Sequence, residues 1–208
     1  QNTGLTHSRT LLPMAEAMLQ NCELGIADVD AVAVAVGPGS FTGLRIGVAT
    51  AKGLAWPEDK PCAPCSTLES MAWPLAHLEG RVIVCAMDAR RSQVYNALFL
   101  AAGEGLQRLT PDRAIGLDQL GEELKKVEKE KIVVGDGARL CYNTLTEQGI
   151  TLKMAPEHLR MQSAWGVARA ALELVRSGGL VSGEELAPVY CRLSQAERER
   201  LEREAKSK

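Results

Sequence analysis

Residues 31–55 read AVAVAVGPGSFTGLRIGVATAKGLA. Six small apolar residues, Ala31 to Val36, run without a polar break, which predicts a strand buried on both faces. The GPGSFTG segment then predicts a turn, and Leu44 to Ala55 a helix. A phosphate-binding loop of this kind needs a second glycine followed by lysine and a hydroxyl residue. Here Leu44 and Arg45 follow Gly43, so both are missing. The dinucleotide spacing G-x-G-x-x-G fails as well, because its third glycine falls on Thr42. Gly37 and Gly39 are therefore read as a tight strand-to-helix turn, although amides at a helix start can hold an anion.

Small residues then recur every four positions, at Gly43, Gly47, Ala51 and Ala55, with Thr50 beside them. Glycine inside a helix costs ~1 kcal/mol relative to alanine, yet this helix holds both Gly47 and Gly53. Small side chains let a second backbone come close, an argument best known from membranes but general in its sterics. Two readings stay open. The stripe receives a partner helix, in which case Gly47→Leu abolishes partner binding and spares the fold. Or it packs on its own sheet, in which case the same change lowers thermal stability.

Outward from this stretch, residues 8–22 place Leu11, Leu12, Met14, Ala15, Met18 and Leu19 at helical spacing, with Ser8 as N-cap and Pro13 near the end of the first turn. Residues 61–65 read as a short strand, and Ser66 or Thr67 caps a helix through Ala76. RVIVCAM (81–87) reads as a buried strand, DARRSQ as a turn, and VYNALFL (94–100) as its hairpin partner. Further helices are expected over 118–129, 140–148 and 163–176, a strand over 131–134, and an extended segment over 188–192. Residues 194–208 read as a charged helical tail, with Ser194 and Glu197 forming a capping box. Alternating strands and helices give α/β with a parallel or mixed sheet. The break at 77–80 suggests lobes over 1–80 and 81–193, with 194–208 as tail.

The chain has 208 residues and a formal net charge of −2, which gives no global pull toward nucleic acid or anionic membrane. No apolar run approaches the ~20 residues that span a bilayer, so the expectation is a soluble, cytoplasmic protein with no membrane association. Among six cysteines only Cys62 and Cys65 form a C-x-x-C, and no further ligand pair completes a zinc set. Small buried thiols are the expected reading.

Taken together, HSRTLLP, GPGSFTGLRIG, STLE, MDARRSQVY, GDGA and PVYCRLSQAERE resemble the bacterial TsaB (YeaZ) family along the whole chain. The resemblance implies a two-lobed actin/Hsp70-like ATPase (ASKHA) fold. It implies a part in forming N6-threonylcarbamoyladenosine at position 37 of tRNAs that read ANN codons. The role it implies is that of an essential partner of the related enzyme TsaD, in an assembly that TsaE, an ATPase, joins. Family members open with a D-T-S-like strand and a hairpin of roughly 25–35 residues. Those first strands are absent from this chain, and Gln1 is not methionine, so the natural chain is expected to begin earlier.

Laid on TsaD, the segment PCAPCSTLESM puts Thr67 and Met71 where the enzyme has two metal-binding histidines. A hydroxyl and a thioether are poor replacements for two imidazoles. His7, His77 and His158 lie far apart, and no Ser-His-Asp or Cys-His set is visible. Asp88 with Arg90 and Arg91, and Asp136 in GDG, read more simply as turn residues than as catalytic groups. The expectation is a non-catalytic subunit with no metal and no cofactor of its own, ATP or ADP entering only with the complex. An active ASKHA-type phosphotransferase or metallopeptidase-like enzyme is the alternative. The expected partner face joins Leu11, Leu12, Ala15, Met18 and Leu19 to Gly43, Gly47, Thr50, Ala51 and Ala55. It would bind TsaD, or a second copy of the chain when TsaD is absent, with TsaE joining and tRNA met only through the complex.

Overall fold

The computed structural model describes residues 7–192; the tail expected at 194–208 lies outside them. Helix α1 (His7–Asn21) leads to strand β1 (Val32–Gly37), helix α2 (Phe41–Ala55) and strand β2 (Cys62–Ser66). The helix already runs at His7, so Ser8 lies within it rather than capping it, and Pro13 sits in its interior. β1 and β2 pair in parallel, from Val32 opposite Cys62 to Gly37 opposite Ser66. The apolar run of β1 is covered less fully than expected: Val36 and Gly37 are buried, whereas Ala33 is exposed. Among the described residues β2 is the only strand that pairs with it.

Helix α3 (Thr67–Ala72) follows at once, then a single 3-10 turn, Trp73–Leu75, where a longer helix was expected. Ser66 caps it, its Oγ accepting from Glu69 N at 3.1 Å. Strands β3 (Val82–Asp88) and β4 (Gln93–Ala101) form the expected antiparallel hairpin, Val82 opposite Leu100 and Asp88 opposite Val94. Short strands β5 (Leu106–Arg108) and β6 (Arg113–Gly116) also pair with β4. Helix α4 (Leu117–Lys125), strand β7 (Lys131–Val134), helix α5 (Ala138–Glu147) and strand β8 (Lys153–Met154) complete a mixed six-stranded sheet. Helices α6 (Glu157–Arg160) and α7 (Ala164–Ser177) follow. Ser163 caps α7 and Gly178, at φ +72°, ends it.

The period-2 alternation of β3 sorts its side chains into two cores. Val82, Val84 and Ala86 pack under α4 and α5 with Leu120, Leu124 and Leu145. Ile83 and Cys85 face the other way, onto Leu68, Met71 and Leu75 of α3 and the turn after it. Trp73 and Ala76 then join a further core with Ala63 and Cys65 of β2 and Ala170 and Ala171 of α7. Every α3 residue but Glu69 is buried. The helix is a wedge between the two sheets.

The break near residue 80 separates the sheets, but the chain later returns to the first one. α7 packs on β2 and α3, Val181 bridges Cys62, and Val189 N donates to Val36 O at 2.8 Å. The expected second lobe, 81–193, therefore holds the larger sheet only through α6. Polar bonds close the join: Arg108 reaches Glu69 at 2.7 Å and Asp112 at 2.6 Å, and Ser66 Oγ donates to Asp112 Oδ2 at 2.5 Å.

α7 approaches α3 closely at Gly166. A Cβ at Gly166 would run into the Ser70 carbonyl oxygen, a backbone atom that cannot swing away. Gly166→Ala is therefore expected to lower Tm by ~3–10 °C, the range of overpacking a fixed contact in a domain of this size. Thermal melting by circular dichroism checks this; an unchanged Tm would remove the wedge contact from the account.

Candidate partner-binding face

α1 packs along α2, yet none of its residues is buried. Leu12 is 50% exposed and Met18 61%, with Leu11 and Met14 also open to water. Ala15 and Leu19 are half-buried and, with Leu12, Leu24, Ile26 and Leu54, line a groove of about 350 Å³. The α1 half of the expected face is thus placed on the surface.

The α2 half is not. Ala51 and Ala55 are buried against Val36, Cys62 and Leu186. Gly47 lies over β1, where an added Cβ would sit 3.7 Å from Val34 Cγ2. Gly43 is half-buried by Ser40, and Thr50 Oγ1 donates to Ile46 O at 2.9 Å. The small stripe therefore faces its own sheet, which corrects the expectation that it receives a partner. What α2 turns outward is Phe41, Thr42, Arg45, Ala49 and Gly53. A Cβ at Gly53 would meet nothing within 4 Å. Sequence reading passed over Ala49, and it weighed Gly53 only as evidence of close approach; a stripe of small residues shows no direction until the sheet is placed.

The glycine turn has a steric purpose. Gly37 has φ +144°, and a Cβ there would strike the Val189 carbonyl oxygen. The returning segment is held there by an aromatic stack of Phe41 on Tyr190, centroids 5.0 Å apart. Arg45 covers Phe41 at 4.0 Å and donates from Nε to Tyr190 Oη at 3.2 Å. Ser40 caps α2, accepting from Gly43 N at 3.3 Å. Neither Phe41 nor Tyr190 was singled out from the sequence, since nothing local brings positions so far apart together.

The positions laid on TsaD's metal ligands point into the wedge. Met71 is buried, its methyl carbon 3.3 Å from where a Cβ on Gly135 would stand. Thr67 is buried too, and its Oγ1 has no hydrogen-bond partner among the described residues. Cys62 and Cys65 face opposite sides of β2, one toward α2 and one toward α7, so they form no pair. Burial, reinforced by the Glu69 carboxylate, pushes the Cys65 thiol up to about 11. Asp88 Oδ1 accepts from Arg90 N at 2.7 Å, and Asp136 Oδ1 from Asp88 N at 3.3 Å. Both acids thus brace turns, the β3–β4 turn running through left-handed Arg90, Arg91 and Ser92. Among the described residues no group of three or more His, Cys, Asp or Glu side chains converges as a metal site. No described helix is long and apolar enough to cross a membrane.

Two sheets joined through a buried helix, the smaller one flanked by α2 and α7, define a mixed α/β protein, an arrangement consistent with the expected two-lobed actin/Hsp70-like fold. Comparison with known proteins narrows this. The family model TsaD, tRNA N6-adenosine threonylcarbamoyltransferase, matches residues 2–199. The tRNA threonylcarbamoyladenosine biosynthesis protein TsaB of Bacillus subtilis is 32% identical, over 94% of this chain and 84% of its own length. That of Escherichia coli is 29% identical, over 89% and 80%. The solved structure of YeaZ from Pseudomonas aeruginosa superposes with TM-score 0.73 at 23% identity, covering 91% of this chain and 86% of that one. The chain belongs to the TsaB (YeaZ) group of the TsaD family.

Two α2 glycines give opposite forecasts. Gly53→Ala meets open space and gains helix propensity, so Tm should rise by ~2–3 °C. Gly47→Leu drives a branched chain into Val34 and should lower Tm by ~3–10 °C. Melting curves of the two variants decide which side of α2 faces the sheet.

Proposed function

We propose that this protein is a non-catalytic subunit of a tRNA N6-adenosine threonylcarbamoyltransferase assembly, acting in formation of threonylcarbamoyladenosine at tRNA position 37. Its family membership supports the pathway, since its relatives carry the name of biosynthesis proteins for that nucleoside. The observation that carries the subunit role is α1: a helix with no buried residue that shows Leu11, Leu12, Met14 and Met18 to water. An apolar face of this kind marks an interaction surface. The partner it is proposed to take is TsaD, whose own helices would cover the α1 residues together with outward Ala49 and Gly53. TsaE and tRNA join through the assembly, and any ATP or ADP is held there rather than by this chain alone. The non-catalytic assignment is supported by Met71 and Thr67, core residues where the enzyme would hold metal ligands. The same α1 face pairs with a second copy when TsaD is absent, as self-complementary surfaces do.

The test is direct binding of purified TsaD by calorimetry. Leu12→Asp with Met18→Glu places two charges on the exposed face, and Gly53→Leu places bulk beside it. Each is expected to weaken TsaD binding by about tenfold or more while Tm stays within ~2 °C of the parent. Unchanged TsaD affinity in both would overturn the reading.

A further inference from the structure

The carboxyl ends of β1, β3 and β7 come together along one edge, tied by bonds that cross between elements. Val189 N donates to Val36 O at the end of β1, and Arg192 donates from Nη1 to Ala89 O at 3.1 Å, just past β3. The three residues from Val189 to Arg192 span at most ~11 Å, so the two strand ends are neighbours. Gly137 N donates to Ala86 O at 3.1 Å, which brings the first turn of α5 beside them. Ligands of open α/β sheets gather outside such strand ends. Five arginines belong to this edge: Arg45 on α2, Arg90 and Arg91 in the β3–β4 turn, Arg139 on α5, and Arg192. All are exposed except Arg192, which is half-buried. None makes an ion pair among the described residues. Three acids lie nearby. Asp88 accepts from Arg90 N, Asp136 from Asp88 N, and Asp118, next to the Leu117 that bonds Ser92, from Gln148 Nε2 at 2.9 Å. The edge thus keeps a positive surplus in a chain whose formal net charge is −2. On it also sits the Phe41–Tyr190 stack, its two residues 40% and 42% exposed.

Guanidinium groups and open aromatic rings are the two chemistries that hold RNA. The first take backbone phosphates, and the second stack on bases that a loop leaves unpaired. The chain's own residues 194–208 carry four glutamates against five arginines and lysines, so they add to the surplus rather than remove it. The relatives of this chain are named for making a tRNA nucleoside, which makes RNA the polyanion that its assembly handles. We infer that this edge contacts the tRNA directly, its arginines on phosphates and the Phe41–Tyr190 pair against an unstacked base. The inference rests on the tRNA-modifying role proposed above and goes beyond it, giving this chain its own contact with the nucleic acid.

The probe is a fluorescently labelled tRNA that reads an ANN codon, titrated with the full chain at low salt and without TsaD. Arg90→Glu with Arg91→Glu should weaken binding by about tenfold or more, and should lower the slope of log affinity against log salt by about two. Tyr190→Ala should weaken it by about fivefold or more, whereas Tyr190→Phe, which keeps the ring, should not. Arg176→Glu, far away on α7, should change nothing. The isolated anticodon stem-loop should bind more tightly than an RNA duplex of equal charge, because only the loop offers open bases. Tm is measured for every variant; if Tyr190→Ala does not fold, the stem-loop preference and the arginine pair decide. Calorimetry with TsaD on the arginine pair should show unchanged affinity, so a failed tRNA contact and a failed partner reading are told apart. No tRNA binding, an affinity untouched by the two arginine changes, or equal binding of duplex and stem-loop overturns the proposal. Equal binding of poly-glutamate at matched charge overturns it in favour of an acidic protein, and full displacement of tRNA by ATP at matched ionic strength in favour of a nucleotide.

Discussion

The fold rests on the burial of one short helix between two sheets. α3 offers Leu68 and Met71 to the six-stranded sheet and Ser70 to α7, while Trp73 just beyond it fills the core under β2. Residues 68–76 therefore couple two separate hydrophobic cores. This is what ties the lobes: the polar bonds of Arg108 and Ser66 lie at the rim of a contact already closed by apolar packing. Partly exposed ion pairs of that kind contribute ~0–1 kcal/mol each, whereas burying one leucine-sized side chain contributes ~1.5–3 kcal/mol.

The same burial takes in the positions laid on the enzyme's metal ligands, Thr67 and Met71. The structure spends that face of α3 on packing. Met71 reaches toward Gly135 at the end of β7, where its flexible thioether fills the space between two turns.

What the interior consumes, the helices of the smaller lobe leave outside. α1 packs on α2 without burying a residue, and α7 buries one apolar face while showing another. Apolar surface is thus left exposed on two separate elements, each held in place by its inward contacts.

Much of this was legible in the sequence because it depends on local chemistry. The unbroken runs of β1 and β3, the β3–β4 hairpin and the cap at Ser66 follow from periodicity and backbone preference, which neighbours in sequence already define. The short strands β5, β6 and β8 were not legible: β7 shows an unbroken Ile132-Val133-Val134 run, whereas these have no run of three apolar residues and become strands only by pairing with a longer one. Direction was the other blind spot. Gly43, Gly47, Ala51 and Ala55 announced a close contact, but a stripe looks the same whether it meets a partner or its own sheet, and only the placement of Val34 and Leu186 decided for the sheet. The glycine that a helix–helix approach truly requires is Gly166, far from the stretch that drew attention, because its need arises from a carbonyl at Ser70 almost a hundred positions earlier. Sequence by itself determined the elements and the family; the tertiary structure decided which faces are spent inside and which stay exposed, because burial is a property of the packed chain and not of any segment of it.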